Sequence, residues 1–210
     1  VIIILIEEVK IMLNDKSNII IIEGPQGVGK STLANFLRDN ISMVNLYRLS
    51  GIKDRSVTGK NINKNMYLTL INYLETLEET GINLVFDRIF FSEQVYCMLG
   101  YKDYKFDDIY ERLLQKLNIL NFNIYLVILY FKDEKNFKYS LNRKHHNYHT
   151  FSLKSSIDQQ NAYLALADNI KLDNIKIIKI AMDDYKEGYK KIIESIPLLR
   201  EEIKDWQDIL

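Results

Sequence analysis

The chain has 210 residues, enough for one domain that buries about 70% of its unfolded-chain surface. Lysine plus arginine and aspartate plus glutamate each number 28, so the formal net charge is zero. That balance argues against a protein that grips DNA or RNA through counterion release, while a partner of nucleotide size remains easy to accommodate. A single cysteine, Cys97, excludes an internal disulfide, and three histidines beside it leave little from which to build a structural zinc site.

The opening VIIILI is too short to span a bilayer, runs directly into Glu7 and Glu8, and has no basic region before it. Neither a membrane span nor a signal peptide is expected. With the cysteine count, this points to a cytoplasmic protein, whether a cell's own or a viral or phage product made in the host cytoplasm. Residues 1 to 13 read as an amphipathic helix or as an extra edge strand.

Residues 19 to 38, IIIIEGPQGVGKSTLANFLR, then change character twice: an apolar run ends at Glu23, a glycine-rich loop follows, and an amphipathic stretch begins at Lys30. The segment reads as strand, loop, helix. Residues 43 to 49 can form a second strand, and the polar, glycine-punctuated 50 to 65 reads as a loop. From Met66 to Glu79 apolar residues recur at helical spacing, at Leu70, Ile71, Leu74 and Leu77, with Gly81 as the terminator. INLVFDR is an apolar strand ending in Asp87 and Arg88; helices are expected over 92 to 99 and 107 to 118. NIYLVILYF, 123 to 131, reads as a strand buried on both faces. Helices over 134 to 143 and 152 to 169 flank the polar segment KHHNYHT. IKIIKIA, 175 to 181, is the last strand, and two helices split by Pro197 follow. Alternating strands and helices make this an α/β chain: a single domain over 1 to 210 with a mostly parallel five-stranded sheet and helices on both faces.

The spacing of Gly24, Gly29, Lys30 and Ser31 fits the Walker A pattern of a phosphate-binding loop. Glycines, here including Gly27, let successive backbone N–H groups of residues such as Val28 and Thr32 point into one concavity. A lysine then reaches the β- and γ-phosphates, and the serine hydroxyl ligates Mg²⁺. The helix beginning at Lys30 adds the positive end of its dipole. ATP with Mg²⁺ is the expected pair. Asp87, at the carboxyl end of a second buried strand, suits a role at Mg²⁺, and Arg88 suits bidentate contact with a phosphate. The other reading is an aspartate capping its turn beside a surface arginine.

IIEGPQGVGKSTL together with DRIFFSEQVY resembles the thymidylate kinase and deoxynucleoside kinase group of P-loop kinases, and SSIDQQNAYLALA, 155 to 167, resembles the helix after the lid in that group. The likeness spans roughly residues 18 to 181. Asp87, Arg88, Ser92 and Tyr96 keep the spacing usual in thymidylate kinases, with Ile89 and Val95 as departures; deoxynucleoside kinases tend to carry Glu-Arg-Ser there. The resemblance thus implies the P-loop fold and ATP-dependent phosphorylation of a deoxynucleoside monophosphate. The nearest alternative is a kinase of the unphosphorylated nucleoside. A polynucleotide 5′-kinase and a nucleotide-binding regulatory module are more distant.

By the same resemblance Asp87 lies near Mg²⁺ or the acceptor phosphate, and Arg88 grips that phosphate with Ser92 and Tyr96 close by. Arg48 stands where thymidylate kinases carry another phosphate-binding arginine, with Arg55 a weaker candidate; both also read as surface arginines. The resemblance also implies a small lid at about 143 to 151; the phosphate loop lacks an internal arginine, having Gln26, Gly27 and Val28, so Arg143 of that lid is implied as the transition-state cation, with a solvated basic turn as the other reading. His145, His146 and His149 lack acidic or cysteine partners and make a poor metal site. Met66 stands where an arginine is usual. Tyr67 reads either as a base-stacking ring or as core, and Cys97 as an inert buried thiol. Ile203, Trp206 and Leu210 share a stripe that fits the core or a homodimer interface.

Overall fold

The computed structural model describes residues 16–141 and 152–204. Residues 1 to 13, the lid with Arg143 and its histidines, and Trp206 and Leu210 lie outside them. No described helix is long and apolar enough to cross a membrane.

Five parallel strands form one sheet: β1 (Asn18–Glu23), β2 (Val44–Arg48), β3 (Asn83–Asp87), β4 (Asn123–Tyr130) and β5 (Ile175–Ala181), in the order β2-β3-β1-β4-β5. The run IIII of β1 is fully apolar because both of its faces are covered. Ile19 and Ile21 join Leu84, Phe86, Leu126 and Ile128 on one side of the sheet. Ile20 and Ile22 join Val85, Val127 and Leu129 on the other. Helices α2 (Val57–Glu75), α3 (Phe90–Met98), α4 (Asp107–Asn118) and α6 (Leu153–Asn169) cover the first side. The second is covered by α1 (Lys30–Asn40), α5 (Lys135–Leu141), α7 (Tyr185–Ser195) and α8 (Pro197–Glu202). Ile203 is buried in that second layer.

The register brings the carboxyl ends of the strands to one edge: Arg48 lies opposite Asp87, Asp87 opposite Ile22, and Glu23 opposite Ile128. In parallel α/β sheets this is the edge where ligands bind.

One helix differs from its reading in the sequence. Nine residues of the expected polar loop belong to α2, which starts at Val57 with the Ser56 hydroxyl accepting from Thr58 N–H, and the helix stops at Glu75 rather than at Glu79. A short turn over 76 to 79 follows, and Gly81, at φ +75°, leads into β3 instead of capping the helix. The first turns are polar even inside: the positions facing inward are Gly59, whose absent Cβ would sit 2.4 Å from the Asp54 carbonyl oxygen, and fully buried Asn63.

Beside the site edge, the Asp183 carboxylate accepts from the backbone N–H groups of Lys132 (3.0 Å) and Asp133 (2.8 Å) and from the Asn136 amide (2.9 Å), tying the turn after β5 to the turn after β4. Partial burial pulls its pKa up, but these donors outweigh it and hold it below the ordinary 3.8. A carboxyl with a depressed folded pKa stabilises the fold above its unfolded value and loses that contribution as pH falls through the folded one. Asp183→Ala should therefore cost about 1 to 2 kcal/mol at pH 7, the modest end for charge-assisted bonds because the group is solvent-exposed. In urea titrations the gap to wild type should close as pH drops below 3.8; a gap that persists unchanged there would mean the carboxylate bonds are not its source.

Candidate active site

The loop between β1 and α1 is shaped by glycines where a side chain cannot go. Gly24 has φ +140°, and a Cβ there would meet the Leu129 carbonyl oxygen at 2.4 Å. Gly29, at φ +98°, is the left-handed N-cap of α1. Lys30 is buried and its ammonium donates to the Pro25 carbonyl at 2.5 Å. Burial first, and then the neighbouring Arg88, push its pKa well below the ordinary 10.5. A cation so placed, at the mouth of a helix N-terminus, is what an arriving polyanion stabilises.

Asp87 closes the other side. Ser31 Oγ donates to Asp87 Oδ2 at 2.5 Å, and Arg48 Nε stands 3.6 Å from the same oxygen while its Nη2 donates to Asn35 Oδ1 at 2.5 Å. The Ser31 hydroxyl and the Asp87 carboxylate are the hard oxygen donors that Mg²⁺ prefers. Two such donors side by side fit an ion that keeps several waters and takes the rest of its ligands from phosphates.

Arg88 has φ +75°, a conformation that costs a non-glycine residue about 1–3 kcal/mol. The surroundings over-determine it: its N–H reaches the Ile22 carbonyl at 3.2 Å, and its Nη1 donates to Ser92 (3.1 Å), Tyr96 (3.0 Å) and Tyr163 (3.2 Å). Behind it lies Glu23, wholly buried, whose two oxygens accept from Ile89 N–H (2.8 Å) and from Ser92 Oγ (2.7 Å). Burial pushes the Glu23 pKa above its ordinary 4.5, with Arg88 pulling the other way. Burial also opposes the charge of Arg88, but Tyr163, Tyr96, Glu23 and Asp87 outweigh it and hold that charge fast.

A second buried polar cluster straps the loop after β2 to the loop after α3. Lys102 donates to the Ile52 carbonyl at 2.6 Å and stands 3.3 Å from Glu93. The Tyr104 hydroxyl donates to Glu93, and Asn63 bonds both Tyr104 (3.1 Å) and Ile52 N–H (2.9 Å).

Of the residues singled out in the sequence, the structure brings Lys30, Ser31, Asp87 and Arg48 into one group, flanked by Gly24, Gly27, Val28, Gly29 and Thr32, and collects Arg88, Ser92 and Tyr96 in a second group behind Asp87. Arg55 turns elsewhere, pairing with Asp103 at 2.9 Å. The Tyr67 ring is fully buried, edge-on to Phe90 and Phe106. Cys97 is half-buried, and its thiol is pushed up to about 12, first by burial and then by Glu93, which fits an inert thiol. Sequence reasoning passed over Glu23 and Tyr163. The first was visible as the one charge ending an apolar run; the second sat inside the quoted run 155 to 167 but lies 75 residues from Arg88.

Strand order and loop together define the class of fold: a P-loop fold of the type found in small kinases. Among solved structures, the thymidylate kinase of Candida albicans matches with a TM-score of 0.59 and 17% identity over 88% of this chain and 94% of that one. The YorR protein of Bacillus subtilis, solved in complex with phosphorylated GDP, matches at 0.63 and 19% over 88% and 98%. The deoxyadenosine kinase of M. mycoides matches at 0.51 and 13% over 84% and 97%. At these identities the likeness establishes the fold. Neither a protein-family model nor a curated protein sequence matches the chain.

Proposed function

We propose that the chain transfers the γ-phosphoryl group of ATP to the phosphate of a deoxynucleoside monophosphate, giving ADP and the diphosphate. The observation that carries this reading is the occupancy of the site's two carboxylates. A nucleoside acceptor needs a base to take the proton of its 5′-hydroxyl. Glu23 spends both oxygens on Ile89 N–H and Ser92 Oγ, and Asp87, bonded to Ser31, is the carboxylate that would be committed to Mg²⁺. A monophosphate oxygen is already anionic and asks for cations instead, which Arg48 and Arg88 supply.

In this account the backbone N–H groups of Gly27 to Thr32 and the Lys30 ammonium hold the β- and γ-phosphates of ATP. Ser31 and Asp87 would hold Mg²⁺, which when bound neutralises charge on those phosphates. Arg88, fixed by three hydroxyls, holds the acceptor phosphate so that its oxygen meets the γ-phosphorus in line. The new P–O bond forms as the bond to the β-phosphate oxygen breaks, and Lys30 stabilises the charge left on ADP. Positioning and charge neutralisation do most of the work in such transfers. The thymidylate kinase and deoxyadenosine kinase among the structural neighbours support a nucleotide or nucleoside acceptor.

Mass spectrometry of the product tests the acceptor. Incubation with ATP, Mg²⁺ and matched pairs of deoxynucleosides and their monophosphates should convert a monophosphate to its diphosphate and leave nucleosides untouched. Conversion of nucleosides alone would overturn the reading in favour of a nucleoside kinase.

A further inference from the structure

Three fully buried side chains near the Arg88 cage carry polar atoms with no hydrogen-bond partner among the described residues: the Tyr67 hydroxyl, the Ser156 hydroxyl, and both the oxygen and the nitrogen of the Gln159 amide. Buried polar groups are nearly always paired, so an orphaned primary amide calls for a physical explanation. Ser156 and Gln159 lie two turns and one turn before Tyr163 on the buried face of α6. Tyr163 places that face against the cage, bonding Arg88 at 3.2 Å and Ser92 at 2.8 Å. Tyr67 enters from α2. Burial first, then Glu93 and Glu23, push its phenol well above the ordinary 10.0, so it stays a neutral donor lying between the cage and the Glu93 cluster.

The three groups share a chemistry: they are uncharged and wait for partners. A carboxamide differs from a hydroxyl in offering a donor and an acceptor side by side, the complement of a nucleobase edge, where a ring nitrogen adjoins an exocyclic oxygen or amino group. We propose that Gln159 reads the base of the acceptor through paired hydrogen bonds, with the hydroxyls of Ser156 and Tyr67 completing a neutral polar lining. This rests on the kinase reading above and deepens it: base choice lies with an amide on α6, in a chain that has Met66 where the family resemblance led one to seek an arginine on α2.

Gln159→Leu tests this, with Gln159→Met beside it as a second apolar replacement of similar length. The expected result is a fall of about 10- to 100-fold in kcat/KM for the best acceptor, an unchanged KM for ATP, and a melting temperature no lower than wild type, because an unpaired buried amide has been removed. Gln159→Glu, which loses the paired donor, should also change the ranking among acceptor bases. Unchanged acceptor kinetics and ranking in these variants would overturn the assignment, as would a uniform loss that follows a drop in melting temperature. Both results are distinct from failure of the kinase reading itself, in which the wild-type protein would phosphorylate no acceptor and the assignment would fall with it.

Discussion

Lys30→Met is expected to lower turnover about a thousandfold, the scale of losing a preorganised charge aimed at the transition state, and to leave the fold at least as stable as before. The side chain is buried with the Pro25 carbonyl as its hydrogen-bond acceptor and Arg88 as a like-charged neighbour. Its charge is costly to the empty fold and serves the phosphates. A lysine whose folded pKa is lowered binds its proton less tightly than the unfolded chain does, so wild-type stability rises with pH up to the ordinary 10.5. The advantage of the Met variant should therefore be largest near neutral pH and fade toward that value. Thermal melts at several pH values beside kcat measure both parts; a variant that loses activity by unfolding would contradict the separation.

Arg88→Met should remove use of the acceptor and also destabilise the fold by about 3 kcal/mol, because it leaves Glu23 as a buried carboxylate without its cation. The effect has a pH signature. With Arg88 gone, the Glu23 pKa climbs further above 4.5, and a carboxyl with a raised folded pKa costs stability progressively as pH rises from its unfolded value through the folded one. The difference in melting temperature from wild type should thus be widest at neutral pH and shrink as pH falls toward 4.5. Glu23→Gln in the same chain should return much of the lost stability and none of the activity. If the single variant melts like wild type at pH 7, Arg88 is not what offsets Glu23.

The parts of the fold legible in the sequence are those where burial follows one simple period. β1 and β4 are covered on both faces and read as unbroken apolar runs; α4 buries Ile109, Leu113, Leu114 and Leu117 on one stripe. The start of α2 was not legible because its inward positions are Gly59 and Asn63, chosen for close backbone approach and for hydrogen bonding, so no apolar period marks the helix. Gly81 misled for a related reason: it does adopt positive φ, but in the approach to β3 rather than at a helix end. At the site, the loop and the Asp87, Arg88, Ser92, Tyr96 series were readable because they are local. The Glu23–Ser92 bond spans 69 residues and is created only by the folded sheet, while the Lys102–Glu93 pair depends on how the loop after α3 folds back on its helix.

The most direct measurement is ADP formation from ATP and Mg²⁺ across a panel of nucleosides and nucleoside monophosphates, in ribose and deoxyribose forms, with Lys30→Met run in parallel. ADP released only when one deoxynucleoside monophosphate is present, and absent in the variant, is the predicted result. ATP bound without acceptor-dependent ADP from any member of the panel would contradict the account and leave a nucleotide-binding module or a polynucleotide kinase in its place.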